Sequence, residues 1–360
     1  MDKGDVIIIM VKIDIISGFL GAGKTTLIKK LLQDAFKGQQ VVLIENEFGE
    51  IGIDGGFLKD AGIEIKEMNS GCICCSLVGD FGTALKEVVE KYHPDRIVIE
   101  PSGVGKLSDV IHAVENLHLE ADGEVKLNSA VTVVDVLKCK MYLKNFGEFF
   151  KNQVEAAGTI ILSRTDTKKA TPEKIEAAIE LIRELNPDAT IITTPVEDLG
   201  GQKILDTIEG MKIDLSHVEE EHDHCCAHEH HHDHDHDDHE HHHDHGEGCT
   251  CGCHDHDHEG HHHHHHHADE VFTSWGRETI RKYTREGLEK MLKALSASED
   301  YGIILRAKGM LPAEDGTWIY FDMVPEETEI REGAPEYTGR LCVIGSKLKE
   351  DKLAELFGLA

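Results

Sequence analysis

Short apolar runs alternate with amphipathic stretches along the first 212 residues of the chain. The runs are short enough to predict strands, at residues 12–17, 41–45, 96–100, 130–135, 159–163 and 190–193. Between them apolar residues recur at helical spacing, which predicts helices at 24–36, 77–92, 149–157 and 172–185. Nearly continuous apolar strands that alternate with helices are typical of a mostly parallel sheet covered on both faces. The pattern therefore predicts an α/β domain over residues 1–212.

The pattern stops at residue 213 and resumes near residue 271. Residues 213–270 contain hardly any apolar side chains, and this composition predicts a disordered linker. Strands are then predicted at 271–275, 302–306, 318–323 and 341–344, with helices at 285–295 and 349–357. Residues 271–360 are therefore expected to form a small α+β domain with a mostly antiparallel sheet.

Charge and cysteine usage exclude several classes of protein. The net charge of −31 disfavours nucleic acid and anionic membranes as partners. No apolar run approaches the roughly 20 residues of a membrane-spanning helix, and the first residues do not read as a signal peptide. The ten cysteines occur mainly in clusters, which without a secretion signal favours metal ligands over disulfides. We therefore expect a cytoplasmic protein.

Residues 18–25 match the phosphate-binding pattern G-x-x-x-x-G-K-[ST] in full. They follow a predicted strand and open a predicted helix, so the loop is expected to hold phosphates at a helix N-terminus. The glycines that let backbone N–H groups approach the phosphates are Gly18, Gly21 and Gly23. Lys24 would reach the β- and γ-phosphates, the Thr25 hydroxyl would bind Mg²⁺, and Thr26 would hold the α-phosphate. The loop predicts a P-loop NTPase.

An acid at the end of a later strand completes the predicted catalytic set. Glu100 ends the run 96–100 and would hold the Mg²⁺ water shell, acting with Lys24 and Thr25. Gly103 follows it, and its N–H would contact the γ-phosphate.

The strand at 159–163 leads into Ser163, Arg164 and Asp166, where many GTPases carry N-K-x-D. A carboxylate at Asp166 would accept from guanine N1–H and N2–H₂, which adenine lacks, and the stem of Arg164 would stack on the base. The alternative is an Asp that caps the following turn.

Three cysteines lie close together after a glycine, at Cys72, Cys74 and Cys75. Three thiolates suit Zn²⁺, Cu⁺ or Ni²⁺, and nearby carboxylates would complete the coordination. The predicted oxygen donors are Glu45, Glu50 and Asp54. A buried trio of cysteines and a redox C-x-x-C pair remain open as alternatives.

A histidine tract accounts for most of the imidazoles, with 23 of the 27 histidines between His222 and His267. Interleaved with acids, they predict many weak, exchangeable sites for Zn²⁺, Ni²⁺, Co²⁺ or Cu²⁺. The ligands expected include His222, His224, His228, His230, His261, Cys249, Cys251 and Cys253. The alternative is an acidic linker without a metal role.

With these motifs the sequence resembles the CobW-type P-loop GTPases, which are related to the nickel-insertion GTPases UreG and HypB. The resemblance rests on residues 18–26, 45–49, 71–75 and 100–103, and near the C-terminus on 305–309 and 343–345. It implies slow GTP hydrolysis that gates delivery of a metal to a client. The family usually has Thr after the glutamate and Asn-Lys in the base-reading loop, where this chain has Pro101 and Ser163-Arg164.

The motifs and the resemblance together predict a GTP-dependent metallochaperone that uses GTP, Mg²⁺ and a transition metal, with Zn²⁺ placed before Co²⁺ and Ni²⁺. Its partner would be a client metalloprotein or a chelatase, contacted by the second domain, and a homodimer is left open. The alternatives are metal storage with vestigial nucleotide turnover, cobalt supply for cobalamin synthesis, and nickel delivery to hydrogenase or urease. These metals share nitrogen and sulfur ligands, so the sequence does not separate them.

Overall fold

A computed structural model of the chain describes residues 9–46, 64–68, 78–116, 123–209, 213, 215 and 271–360. The chain divides into two units, of which residues 1–218 together with 266–360 form one. The other comprises residues 219–265 and lies outside the described residues. Every helix in the described ranges is too short or too polar to span a lipid bilayer.

The first seven described strands form a parallel sheet in the order β3-β2-β4-β1-β5-β6-β7. The strands are β1 (Ile9–Gly18), β2 (Val41–Asn46), β3 (Glu64–Met68), β4 (Arg96–Glu100), β5 (Gly123–Asp135), β6 (Thr159–Ser163) and β7 (Thr190–Ile192). The helices that accompany them are α1 (Lys24–Asp34), α2 (Val78–Tyr92), α3 (Leu107–Glu115), α4 (Cys139–Glu155), α5 (Pro172–Leu185), α6 (Val196–Leu199) and α7 (Gly201–Ile208). The predicted α/β fold is confirmed.

Both faces of this sheet are covered, which explains the continuous apolar runs of its strands. In β4, Ile97 and Ile99 pack into one core with residues of α3 and α4. Val98, between them, points to the opposite core, where it meets residues of α1 and α7. Successive side chains of a strand face opposite ways, so a strand buried on both faces has no polar alternation.

The C-terminal part forms a five-stranded antiparallel sheet in the order β11-β10-β9-β12-β8, as predicted. Its elements are β8 (Thr273–Thr279), α8 (Arg285–Ala297), a 3₁₀ turn (Glu299–Tyr301), β9 (Ile303–Pro312), β10 (Trp318–Val324), β11 (Glu327–Gly333), β12 (Gly339–Ser346) and α9 (Glu350–Phe357). Leu341 and Val343 of β12 pack with α8 and α9, whereas Cys342 and Ile344 belong to the core of the first domain. The two sheets therefore share a core.

Several elements differ from those expected. The helix predicted at 149–157 begins ten residues earlier, at Cys139, because a kink at Phe146 interrupts its apolar spacing. Strand β11 was not expected, since its exposed acidic residues lack apolar alternation and it is held at the sheet edge by β10. Helix α3 was not predicted, although Leu107, Val110, Ile111 and Val114 recur at helical spacing, and strand β3 was not predicted because it is short and mostly charged.

A buried ionic network lies at the amino end of β4, away from the strand ends that carry the phosphate loop. The Arg96 guanidinium pairs with Asp14 and donates to Glu209 at 2.6 Å. Lys12 also donates to Glu209, at 3.0 Å. Glu209 directly follows α7, so the network ties the end of α7 to β1 and β4.

Candidate nucleotide site

The phosphate loop runs from the carboxyl end of β1 into the N-terminus of α1. Gly18, Gly21 and Gly23 all have positive φ, at 142°, 69° and 106°. Only glycine adopts these angles without strain, so the loop can turn its backbone N–H groups toward one centre. Gly23 caps α1, whose N-terminus carries positive potential. The loop has the conformation of an anion-binding site.

Lys24, Thr25 and Glu100 converge beside this loop. Lys24 is 6% exposed, and its Nζ donates to the carbonyl oxygen of Gly18 at 3.0 Å. The same Nζ lies 3.9 Å from Glu100 Oε1. The Thr25 hydroxyl donates to Glu100 Oε1 at 3.5 Å. The structure thus brings together, across 75 residues of sequence, the three residues predicted to be catalytic. Thr26, which follows Thr25 in the chain, has an exposed side chain.

A second carboxylate lies next to Glu100 on the neighbouring strand. Glu45 of β2 is the register partner of Glu100 of β4, so the two side chains leave the sheet on the same face. Glu45 is only 4% exposed. Burying a carboxylate is unfavourable unless a cation or hydrogen-bond donors compensate it, so two adjacent acids beside Lys24 suit a cation-binding region.

The loop after Glu100 packs against the phosphate loop and is held there by a side chain of α4. A Cβ atom at Gly103 would lie 2.8 Å from the backbone nitrogen of Leu20, so the two loops touch backbone to backbone. Gln153 of α4, fully buried, donates its Nε2 to the carbonyls of Gly105 at 2.8 Å and Gly103 at 3.2 Å. The position of Gly103 is thus set by a side chain of α4.

The base-reading loop begins at the end of β6, beside the phosphate loop. Ser163 Cβ lies 3.7 Å from where a Cβ of Gly23 would be. Arg164 has a positive φ of 59°, and its Nη1 lies 3.4 Å from Asp135 Oδ2 at the end of β5. Asp166 is exposed on the same loop. Ser163, the first residue of the predicted base-reading loop, therefore lies beside the phosphate loop.

Burial perturbs the ionisable groups beneath this loop. Burial raises the pKa of the Asp135 carboxyl, and the nearby Arg164 guanidinium partly opposes the shift. Burial also lowers the pKa of Lys138 and raises that of Tyr142, whose hydroxyl donates to the carbonyl of Leu20 at 3.4 Å. Arg164 is thus the main cation that opposes the effect of burial on the pKa of the Asp135 carboxyl.

Most predicted metal ligands lie outside the described residues. They are Cys72, Cys74, Cys75, Glu50, Asp54 and the tract residues His222, His224, His228, His230, His261, Cys249, Cys251 and Cys253. Within the described ranges, no three His, Cys, Asp or Glu side chains converge in a way that could hold a metal. Cys139 and Cys342 are buried thiols, as their apolar surroundings predict.

Sequence reasoning missed two residues of this region. Gln153 has no distinguishing signal, because one amide on an amphipathic helix reads as an ordinary surface residue. Asp135 had a signal, since it ends a buried strand as Glu100 does.

Comparison with known proteins finds two family matches that together cover most of the described chain. Residues 12–193 match "CobW/HypB/UreG, nucleotide-binding domain", and residues 272–359 match "Cobalamin synthesis protein cobW C-terminal domain". A Sinorhizobium protein named zinc chaperone CobW is 33% identical over 248 residues, covering 58% of this chain and 69% of its own. Zinc chaperone YeiR of Escherichia coli K12 is 32% identical, covering 47% of this chain and 50% of its own.

Solved structures are similar at lower identity. The Zn(II)-bound YjiA GTPase from E. coli matches with 20% identity over 98% of this chain, with a TM-score of 0.39. The chain spans about half to two thirds of the length of the two relatives named above.

Proposed function

Because the chain belongs to the CobW/HypB/UreG family of GTPases, we propose that it hydrolyses GTP to control transfer of a zinc ion to a client protein. Membership of the family predicted from the motifs is confirmed. The observation that carries the proposal is the convergence of Lys24, Thr25 and Glu100 at the phosphate loop.

Phosphoryl transfer needs positioning and charge stabilisation more than covalent chemistry. Lys24 would supply a cation to the β- and γ-phosphates, and loop N–H groups would hold them in place. The hydroxyl of Thr25 and the carboxylate of Glu100 are hard oxygen donors 3.5 Å apart, which suits Mg²⁺. A bound Mg²⁺ would neutralise charge that develops on the transferred phosphate. Gly103, fixed by Gln153, would donate its N–H to the γ-phosphate.

The loop after β6 would choose the base. Asp166 would accept hydrogen bonds from guanine N1–H and N2–H₂, and Ser163 and Arg164 would line the base. The proximity of Ser163 to Gly23 supports this assignment, because one nucleotide must reach both loops.

The cargo metal would bind next to the nucleotide. Strand β3 lies beside β2 in parallel register, with Glu67 of β3 opposite Glu45. The carboxyl ends of parallel neighbours meet at one edge of the sheet, so the chain leaves β3 at Met68 beside Glu45. Cys72 follows four residues later, within about 14 Å of extended chain. Cys72, Cys74, Cys75 and Glu45 would therefore form the tight metal site.

Zinc is the cargo that the thiolates and the names of the relatives favour together. The donors do not exclude Co²⁺ or Ni²⁺. The histidine tract would capture metal weakly and pass it to the cysteine site, and the C-terminal domain would contact the client.

The test is a zinc competition titration on protein that lacks residues 219–265, a separate unit of the chain. We expect one tight site to remain, to be lost in Cys74→Ser, and to survive in Cys342→Ala, which removes a buried thiol elsewhere. The rate of GTP turnover should respond to added zinc in the shortened protein and in Cys342→Ala, and this response should be lost in Cys74→Ser. A tightest site that Cys74→Ser leaves unchanged would contradict the assignment.

A further inference from the structure

The turn between β10 and β11, residues 324–327, reaches both loops of the nucleotide site. Val324 contacts the phosphate loop at Gly21, where a Cβ atom would lie 2.3 Å from Val324 Cγ1. Glu327, at the other end of the turn, binds Arg164 of the base-reading loop. We call residues 324–327 the hairpin turn. It belongs to the C-terminal sheet, far along the chain from both loops.

The contact with Arg164 is specific in geometry. Nε and Nη2 of Arg164 donate to the same Glu327 oxygen, at 2.9 and 2.5 Å. The third guanidinium nitrogen faces Asp135 at 3.4 Å. The Arg164 side chain is 20% exposed and Asp135 1% exposed, so the guanidinium is clamped between an interior and a surface carboxylate. Its stem is left with little rotational freedom.

The neighbouring ion pair offers a contrast. Glu326 accepts from Lys169 at 3.0 Å, but both side chains are largely exposed, at 74% and 63%. Exposed pairs of this kind contribute little because solvent screens them. The hairpin turn thus carries two adjacent acids. Glu327, 58% exposed, restrains a largely buried arginine, whereas Glu326 pairs with an exposed lysine.

The backbone on both sides of the contact is held in a costly conformation. Arg164 and Glu326 both have positive φ, at 59° and 71°. Non-glycine residues keep such angles only where their surroundings enforce them. Ser296 of α8 accepts from the Glu326 N–H at 2.9 Å, and Thr167 donates its hydroxyl to the Arg164 carbonyl at 3.0 Å. These two hydrogen bonds thus hold the backbone of the hairpin turn and of the base-reading loop in the conformations that bring Glu327 to Arg164.

We infer that Val324 and Glu327 bring the hairpin turn to the nucleotide site, and that Glu327 is a positioning residue, which orients the stem of Arg164 so that a purine base can stack on it. This inference rests on the proposed role of residues 163–166 in base binding. A guanidinium restrained by Asp135 and Glu327 loses less freedom when the base stacks, so binding is tighter. The C-terminal domain then contributes directly to nucleotide affinity, and by linkage a bound nucleotide stabilises its contact with the first domain.

The test compares Glu327→Gln with the matched Glu326→Gln in the full chain. Affinities for GTP, GDP and ATP are measured by competition with a fluorescent nucleotide, and inorganic tripolyphosphate serves as the probe without a base. We expect Glu327→Gln to weaken GTP and GDP equally, by roughly three- to tenfold, the range between an exposed ion pair and a charged hydrogen bond. Tripolyphosphate binding and kcat should not change, and Glu326→Gln should match the wild type.

Combining the change with Arg164→Ala separates positioning from general destabilisation. In the Arg164→Ala background, Glu327→Gln should have no further effect, because its only proposed route is through Arg164. A further loss there, a loss of tripolyphosphate binding, or equal behaviour of the two glutamine variants would overturn the inference. Equal affinities of the wild type for GTP and ATP would instead refute the role of Asp166 in selecting guanine. The comparison of Glu327→Gln with Glu326→Gln would still test the inference, because either purine can stack on Arg164.

Discussion

Gln153 holds the loop that follows Glu100, and replacing it should separate the effect of loop position from that of stability. The perturbation is Gln153→Met, which keeps the length of the side chain and removes the Nε2 donor. Two carbonyls, of Gly103 and Gly105, then lose a hydrogen bond in a place where Gln153 is fully buried. Each loss is expected to cost about 1–2 kcal/mol, so unfolding free energy should fall by about 2–4 kcal/mol. The midpoint of thermal unfolding should drop by roughly 5–10 °C.

The functional effect should exceed this loss of stability. Gly103 would shift relative to Leu20, against which it now packs backbone to backbone. A displacement of about 1 Å at a transition-state contact can reduce turnover by as much as a hundredfold. We therefore expect kcat for GTP to fall by about ten- to a hundredfold, with a much smaller change in GDP affinity. The assay is single-turnover hydrolysis well below the unfolding midpoint.

The preceding residue of α4 provides the control. Asn152 also makes two hydrogen bonds, accepting from the N–H of Ser108 at 3.2 Å and donating to its hydroxyl at 2.8 Å. Asn152→Leu should therefore cost similar stability, but it leaves the contacts of Gly103 and Gly105 in place. If both variants reduce kcat equally when folded, the role given to Gln153 is wrong.

Two further predictions concern the phosphate loop and the opposite end of the sheet. Lys24→Ala should reduce GTP hydrolysis at least about a hundredfold, because the γ-phosphate loses its side-chain cation, and turnover near the wild-type rate would refute this role. Burial of Glu209 would raise its pKa, but hydrogen bonds from Arg96 and Lys12 outweigh burial and hold the pKa below 4.5. The stabilisation by Glu209 is therefore present above pH 4.5 and is lost as the pH falls below it. The urea midpoints of wild type and Glu209→Gln should differ at neutral pH and converge in acid, and a constant difference would contradict this.

The parts of this protein that the sequence predicted are those whose chemistry is local. A phosphate loop is built from eight consecutive residues between a strand and a helix, so residues 18–25 were recognisable without any tertiary information. The same holds for the parallel sheet, since a strand buried on both faces is apolar at every position. Glu100 was found because an acid at the end of such a strand interrupts an apolar run.

Other features carry too weak a local pattern to be found in this way. The acidic edge strand β11 has no apolar alternation, and its place is set by pairing with β10. The kink at Phe146 hid the first half of α4 from a search for helical spacing. The assignments of Asp166 and of Cys72, Cys74 and Cys75 remain predictions.

Most strands of both sheets, the phosphate loop, Glu100 and the pattern of the base-reading loop could be predicted from the chain alone. The distant side chains that hold these loops in place could be identified only in the folded structure. Gln153 lies 50 residues from Gly103, and Glu327 lies 163 residues from Arg164. Neither residue differs in its local sequence from an ordinary amide on a helix or an ordinary acid at a turn. Their roles arise because packing of the shared core brings α4 and the hairpin turn to the carboxyl ends of the strands, and such contacts leave no periodic signal in the chain.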